Sequence, residues 1–129
     1  MVAYTLTDEK IKAGKELLQA CDTSKVTIEA AFWLYFQDQE SWKLMLSVKD
    51  INKEGPKSIY NKLQKLLKKN NLKEQLSLSE IALAKHKSPI LDLLRSVIKT
   101  GPGISGIRFT ENVINGQLIP DAYIYKMNA

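Results

Sequence analysis

The sequence predicts an α+β domain in which three helices pack on a mixed or antiparallel sheet of about five strands, formed by two hairpins and one further strand. Three observations carry this prediction: strict apolar alternation over residues 26–36, two helical patterns that each begin at a proline, and an Asn-Gly pair between apolar residues near the C-terminus. With 129 residues and 44% hydrophobic residues, the chain fits a single domain over residues 1–129.

The first element is a helix over residues 8–21. Thr7 is a suitable N-cap, and Asp8 suits the positive end of the helix dipole. Gly14 weakens the helix slightly. An apolar stripe marks its core side, formed by Ile11, Leu17, Leu18 and Cys21.

Residues 26–36 and 42–48 alternate in the manner of strands, and the polar loop between them predicts a hairpin. The alternation assigns one core face to the first strand, formed by Val26, Ile28, Ala30, Phe32, Leu34 and Phe36. A helix through residues 29–36 is the rival interpretation. The aromatic side chains of this hairpin are either core residues or stacking platforms for a base or a peptide: Trp33, Tyr35 and Trp42.

Gly55-Pro56 starts the second helix, because proline is favoured at the first helical position. Its core stripe is formed by Ile59, Tyr60, Leu63, Leu66 and Leu67. The segment 76–85 is ambiguous, since Ser77 and Glu80 have the spacing of a capping box, but Pro89 leaves little room for a helix. We predict a buried strand there, with a change of phase near Glu80.

Ser88-Pro89 starts the third helix, and Gly101-Pro102 is predicted to end it. Its core-facing residues are Ile90, Leu91, Leu94, Val97 and Ile98. The glycine-rich run over residues 101–106 follows a helix and opens a strand, which is the reverse of the order found in phosphate-binding loops. We therefore interpret it as a turn.

The Asn115-Gly116 turn fixes the register of the last hairpin, pairing Ile114 with Gln117 and Arg108 with Tyr123. Pro120 cannot donate to the ladder and could shift this register. The predicted core face comprises Ile107, Phe109, Val113, Leu118, Ala122 and Ile124. The opposite face gathers a candidate partner-binding set, in which Arg108 stacks on Tyr123 or pairs with Asp121: Arg108, Thr110, Asp121, Tyr123 and Tyr125.

Lysine dominates the charge of the chain. The net charge is +5, and only Arg95 and Arg108 among the 19 basic residues are arginines. The lysines gather on and around the second helix as Lys53, Lys57, Lys62, Lys65, Lys68, Lys69 and Lys73. A phosphate backbone could lie along this helix, with Lys62, Lys65, Lys68 and Lys69 as its candidate contacts, and a solubilising helix face is the alternative.

No catalytic or metal-binding motif stands out. His86 is flanked by lysines, which disfavour its protonated form and repel a metal, and Cys21 suits a small buried hydrophobe. With one histidine and one cysteine, we predict no metal site and no cofactor. Scattered carboxylates could converge on Mg²⁺ only if the fold brings them together: Asp22, Glu29, Asp38, Glu40, Asp50, Glu80, Asp92, Glu111 and Asp121.

Several short motifs carry a resemblance. They are G-P-G-I-S-G-I-R-F, N-x-I-N-G and D-A-Y-I-Y between Gly101 and Tyr125, preceded by A-x-W-x-Y, W-x-L and G-P…Y patterns. Together they resemble a group of small uncharacterised bacterial proteins, over roughly residues 30–126. The resemblance implies a bacterial source and one coherent domain, and it implies no activity.

The expected function is that of a non-catalytic module that binds a macromolecule, either a protein or a nucleic acid. The alternatives are a small metal-assisted hydrolase or nuclease and a self-associating structural protein that pairs strand edges into a homo-oligomer. No apolar run approaches the ~20 residues of a membrane span, and the N-terminal residues do not resemble a secretory signal. We therefore expect a cytoplasmic protein with no membrane partner.

Overall fold

The computed structural model describes residues 6–49, 53, 55–84, 88–101, 103–109, 112–114, 116–119 and 121–128. Its helices are α1 (Asp8–Thr23), α2 (Pro56–Lys69) and α3 (Pro89–Val97). Its strands are β1 (Ile28–Phe36), β2 (Ser41–Val48), β3 (Ile81–Leu83), β4 (Ile107–Phe109), β5 (Asn112–Ile114), β6 (Gln117–Ile119) and β7 (Ala122–Met127). Five strands form a sheet in the order β3-β2-β1-β7-β4, parallel only between β2 and β3. The predicted α+β fold with three helices is confirmed.

The sheet is buried on both faces. On one face, side chains from α1 and α2 pack against β1 and β2 in a core that includes Trp33, Leu44 and Leu63. On the other face, Leu91 and Leu94 of α3 pack against a second set from the sheet: Ala30, Phe32, Leu34, Ala122, Ile124 and Met127. The domain therefore has three layers, and the central strand β1 contributes side chains to both cores.

A β-bulge in β1 corrects the predicted alternation. The register with β2 shifts between Ile28 and Ala30. Ile28 consequently faces the same core as Ala31 and Trp33, whereas Ala30 and Phe32 face α3. The single core face predicted for residues 26–36 is wrong because an extra residue in a strand reverses the side-chain alternation beyond it. The strand itself is confirmed over its helical rival.

The β1–β2 turn spans residues 37–40 and is one residue shorter than the loop left between the predicted strands 26–36 and 42–48. Gln37–Gln39 form a single 3₁₀ turn, and Glu40 adopts the left-handed conformation with φ 50°. The strand pairing starts immediately afterwards, with Phe36 opposite Ser41. This compact turn brings the Tyr35 and Trp42 rings together, with centroids 5.4 Å apart.

The segment 76–85 begins with a genuine capping box rather than a strand. The Ser77 amide donates to Glu80 Oε1 over 3.0 Å, and the pair caps the 3₁₀ turn Leu78–Glu80. Strand β3 then runs beside β2 for three residues. The sequence predicts one strand whose side-chain alternation changes near Glu80. In the structure, one 3₁₀ turn ends at Glu80 and a short edge strand follows it.

The C-terminal hairpin keeps the predicted register throughout. Ile114 pairs with Gln117, Val113 with Leu118, and Arg108 with Tyr123, so the pairing on the two sides of residue 120 is in one register. Gly116 has φ 77°, as the turn requires. Asn115 and Pro120 lie outside the described residues.

Three predicted burial assignments in the C-terminal half are wrong. Val113 is 61% exposed because β5 and β6 pair only with each other and lie beyond the five-stranded sheet. Val97 is 53% exposed because α3 ends at this residue, with Ile98 as its C-cap, ahead of the predicted Gly101-Pro102 stop. Tyr125 was assigned to an open polar face, yet it is 1% exposed beneath α1.

One buried hydrogen-bonded link joins α1 to the sheet. Trp33 Nε1 of β1 donates to the Tyr125 hydroxyl over 2.9 Å, and that hydroxyl donates to the Ile11 carbonyl of α1 over 2.6 Å. The register between β1 and β7 shifts beside Tyr125, which leaves this residue without its own partner on β1. Tyr125 lies on the same sheet face as Tyr123, opposite to Ile124, and α1 covers that face, so the ring and hydroxyl of Tyr125 fill the space between helix and sheet.

Gly14 makes this link possible. A Cβ atom at position 14 would overlap the Tyr125 hydroxyl and would crowd the ring carbon Cζ at 3.0 Å. The glycine is buried in the middle of α1, where alanine would favour helix formation by about 1 kcal/mol. Its presence is therefore explained by close contact with Tyr125 rather than by helix propensity.

Cys21 is buried at the end of α1 and is a core residue. Burial, and secondarily the negative charge of Asp22, raises the pKa of its thiol from 9.0 to about 12. Its thiolate is therefore scarce at neutral pH, which agrees with the interpretation of Cys21 as a small hydrophobe.

We predict that Gly14→Ala destabilises the protein by about 1–3 kcal/mol, because overpacking against Tyr125 exceeds the gain in helix propensity. Urea unfolding followed by circular dichroism measures the change. Gln19→Ala, at an exposed position of the same helix, is the matched control and should change stability by less than about 0.5 kcal/mol. A Gly14→Ala variant as stable as the native protein would contradict the close contact.

Tyr125→Phe is expected to cost about 1–3 kcal/mol, since it leaves the buried Trp33 Nε1 without its acceptor. In the Gly14→Ala background the same change should cost less, because removing the hydroxyl also removes part of the overlap. The measurement is a double-mutant cycle of unfolding free energies. Additive effects of the two substitutions would show that residues 14 and 125 do not touch.

The Cys21 thiol should react slowly with a disulfide reagent at pH 8 in the folded protein. Its raised pKa implies a thiolate population roughly a thousandfold below that of the unfolded chain. Because the folded-state pKa is the higher one, this group's contribution to stability is complete below pH 9 and falls as the pH rises from 9 towards 12. Rapid modification without denaturant would contradict the burial.

Candidate functional site

The lysines of α2 lie on its outer side, away from the sheet. The buried stripe of this helix is formed by Ile59, Leu63, Leu66 and Leu67, and the lysines lie on the opposite side of the helix. We call this surface the lysine face, and it comprises the exposed residues Lys57, Lys62, Lys65, Lys68 and Lys69. The spacing of apolar residues therefore fixes which way the charges point.

Local interactions hold α2 firmly in place. Gly55 with φ 86° and Pro56 start the helix, and Asn70 ends it by donating from Nδ2 to the Leu66 carbonyl over 2.8 Å. The Tyr60 hydroxyl accepts a hydrogen bond from the Leu83 amide of β3 over 3.2 Å. The helix is thus joined to the sheet by a polar contact as well as by its buried side chains.

The charge of the whole protein is concentrated on this helix. α2 contains five lysines and no aspartate or glutamate, and the chain as a whole has a net charge of +5. The remaining basic residues are therefore balanced by the acidic ones. Lys68 and Lys69 lie in the last turn, where the negative end of the helix dipole favours positive charge.

A shallow groove of about 330 Å³ runs along the lysine face, lined by Asn61, Gln64, Lys65, Lys68 and Lys73. Lys73 belongs to the loop after α2, which is anchored by the buried Leu72 and by the bond from the Leu72 amide to the Leu67 carbonyl. The groove therefore combines ammonium groups with amide groups that can donate to an anionic oxygen.

Of the predicted site residues, Lys62, Lys65, Lys68 and Lys69 are brought to one surface. Lys73, which is not among these four candidate contacts, lines the groove together with Lys65 and Lys68, because the turn through residues 70–72 folds back beside the helix. The sequence signal for Lys73 was its inclusion in the wider lysine cluster. Only the turn geometry, with Asn71 at φ 56°, shows that it lines the same groove.

The structure does not bring the members of the candidate partner-binding set around Arg108 together on one exposed surface. The Arg108 guanidinium lies 5.4 Å from the centre of the Trp42 ring, rather than on its neighbour Tyr123. Asp121 is half-buried, and its carbonyl accepts from the Tyr35 amide. Tyr125 is buried, Trp33 is fully buried and Trp42 is only 8% exposed, so these three rings offer little area for stacking.

Acidic and metal-ligating residues do not form a cluster in the part of the chain that the structure describes. No group of three His, Cys, Asp or Glu side chains there could hold a metal ion. His86, Asp50 and Glu111, which were considered as chemistry-bearing residues, lie outside the described ranges. Within those ranges, no helix is long and apolar enough to cross a membrane.

In comparisons with known proteins, the chain matches no protein-family model, no curated protein and no solved structure.

Proposed function

We propose that this protein binds the phosphate backbone of a nucleic acid along the lysine face of α2, without reading base sequence and without catalysis. The observation that carries the proposal is the concentration of the chain's net charge on one exposed helix face. A polyanion that neutralises these lysines would release its condensed counterions, which is the main source of sequence-independent affinity.

The dimensions of α2 suit this ligand. Its fourteen residues extend for about 21 Å, at 1.5 Å per residue. One strand of a duplex presents a phosphate about every 3.4 Å along the axis, so the helix spans roughly six phosphates. Five lysines on the helix and Lys73 beside it supply a comparable number of positive charges.

The identity of the basic residues favours backbone binding over base recognition. Arginine forms the bidentate contacts that read guanine, whereas lysine acts as a point charge towards phosphate. Both arginines of this chain lie off the lysine face, with Arg95 paired to Asp92 and Arg108 over Trp42. The proposal therefore predicts little sequence preference.

We expect labelled random-sequence RNA or DNA to bind with micromolar affinity at low salt, and the affinity to fall with a log–log slope of about −0.9 per duplex phosphate neutralised. Fluorescence anisotropy measures both quantities. Lys65→Glu plus Lys68→Glu should weaken binding about tenfold or more and reduce the salt slope, because both residues line the groove.

The matched control is Lys49→Glu plus Lys99→Glu, which makes the same change in net charge at exposed positions outside α2. It should retain most of the affinity. Equal losses in the two variants would show that only net charge matters. An absence of binding at low salt would leave the lysine face as a solubilising surface and would contradict the proposal.

A further inference from the structure

A second groove, distinct from the lysine face, lies between α1 and the segment that leads into β4. Its volume is about 440 Å³, within the usual range of small-molecule pockets. One wall is a single stripe of α1 that includes Lys12 and Lys15, and the other is formed by residues 104–106. Tyr123 and Tyr125 form the floor, and we call this cavity the tyrosine groove.

The floor of the tyrosine groove is held by fixed contacts. The Tyr123 and Tyr125 rings pack edge to face with centroids 5.2 Å apart. The Tyr125 hydroxyl is hydrogen-bonded to Trp33 and Ile11, and the Tyr125 carbonyl accepts a hydrogen bond from the Ser105 amide over 2.6 Å. Gly106 lies close to Tyr123, where a Cβ atom would overlap the tyrosine hydroxyl unless the ring moved.

Polar groups converge on this groove without protein partners. Among the described residues, no hydrogen bond or ion pair involves the side chains of Lys12, Lys15 or Tyr123. Asp8 lies on the same helical stripe, so the two lysines leave one excess positive charge at the rim. Tyr123, which is half-buried, lines the same groove.

We infer that the tyrosine groove binds a small phosphorylated molecule with a planar ring, of the mononucleotide class. The phosphate would pair with the ammonium groups of Lys12 and Lys15, which suit it as point charges. The planar ring would pack against Tyr123, since an aromatic side chain stacks on any base. The Tyr123 and Ser105 hydroxyls can hydrogen-bond to a sugar. This site is separate from the proposed nucleic-acid function and does not depend on it.

The test is a titration of the ¹⁵N-labelled protein with adenosine monophosphate, followed by backbone amide shifts in NMR spectra. Saturable shifts confined to residues 11–15, 103–109 and 121–126 are expected. Lys12→Gln plus Lys15→Gln should raise the Kd about tenfold, because two phosphate contacts are lost from exposed positions that do not support the fold. Lys49→Gln plus Lys99→Gln, at exposed positions outside both proposed surfaces, is the control and should leave the Kd unchanged.

Adenosine and inorganic phosphate are titrated separately to distinguish the two parts of the ligand. Each should bind more weakly than adenosine monophosphate if both ring and phosphate are recognised. Equal affinity for inorganic phosphate would overturn the ring contact, and equal affinity for adenosine would overturn the role of the lysines. Shifts confined to α2, or no saturable shift at millimolar ligand, would overturn the site altogether.

Discussion

The position of α1 depends on the hydrogen-bonded link from Trp33 through Tyr125 to the Ile11 carbonyl. The link exists because Tyr125 lies on the sheet face that α1 covers and because Gly14 has no side chain to block it. Breaking the link would leave the buried Trp33 Nε1 donor without an acceptor, and no other contact would compensate for its lost hydration. The same tyrosine supplies part of the floor of the tyrosine groove, so the support of the fold and the shape of this cavity are inseparable.

The two proposed binding surfaces differ in how the fold creates them. The lysine face is a consequence of helical periodicity, since burial of Ile59, Leu63 and Leu67 leaves every lysine of α2 outside. The tyrosine groove is created by tertiary contacts between α1 and β7 that are far apart in sequence. An extended polyanion fits the first surface, which is open and positive along its length, and a compact ligand fits the second.

Elements with local signals could be predicted from the sequence, including α2 after Gly55-Pro56 and the register around Asn115-Gly116. The β-bulges could not, because a single extra residue changes which face a side chain occupies without changing the apolar composition. The bulge in β1 therefore makes the single predicted core face wrong at Ile28, whereas Tyr125 lies on its predicted sheet face and is buried because α1 covers that face. The lysine face was predictable from periodicity, whereas Lys73 in its groove and the whole tyrosine groove require the tertiary structure.

The Trp33–Tyr125–Ile11 link should be a permanent part of the core. Hydrogen exchange of the Trp33 indole N–H, followed by NMR, measures how readily the link opens. We expect this proton to exchange only when the whole domain unfolds, with an opening free energy equal to that of global unfolding. Exchange with a much smaller opening free energy, while the β1 amides stay protected, would show that α1 separates from the sheet and that the link is not permanent.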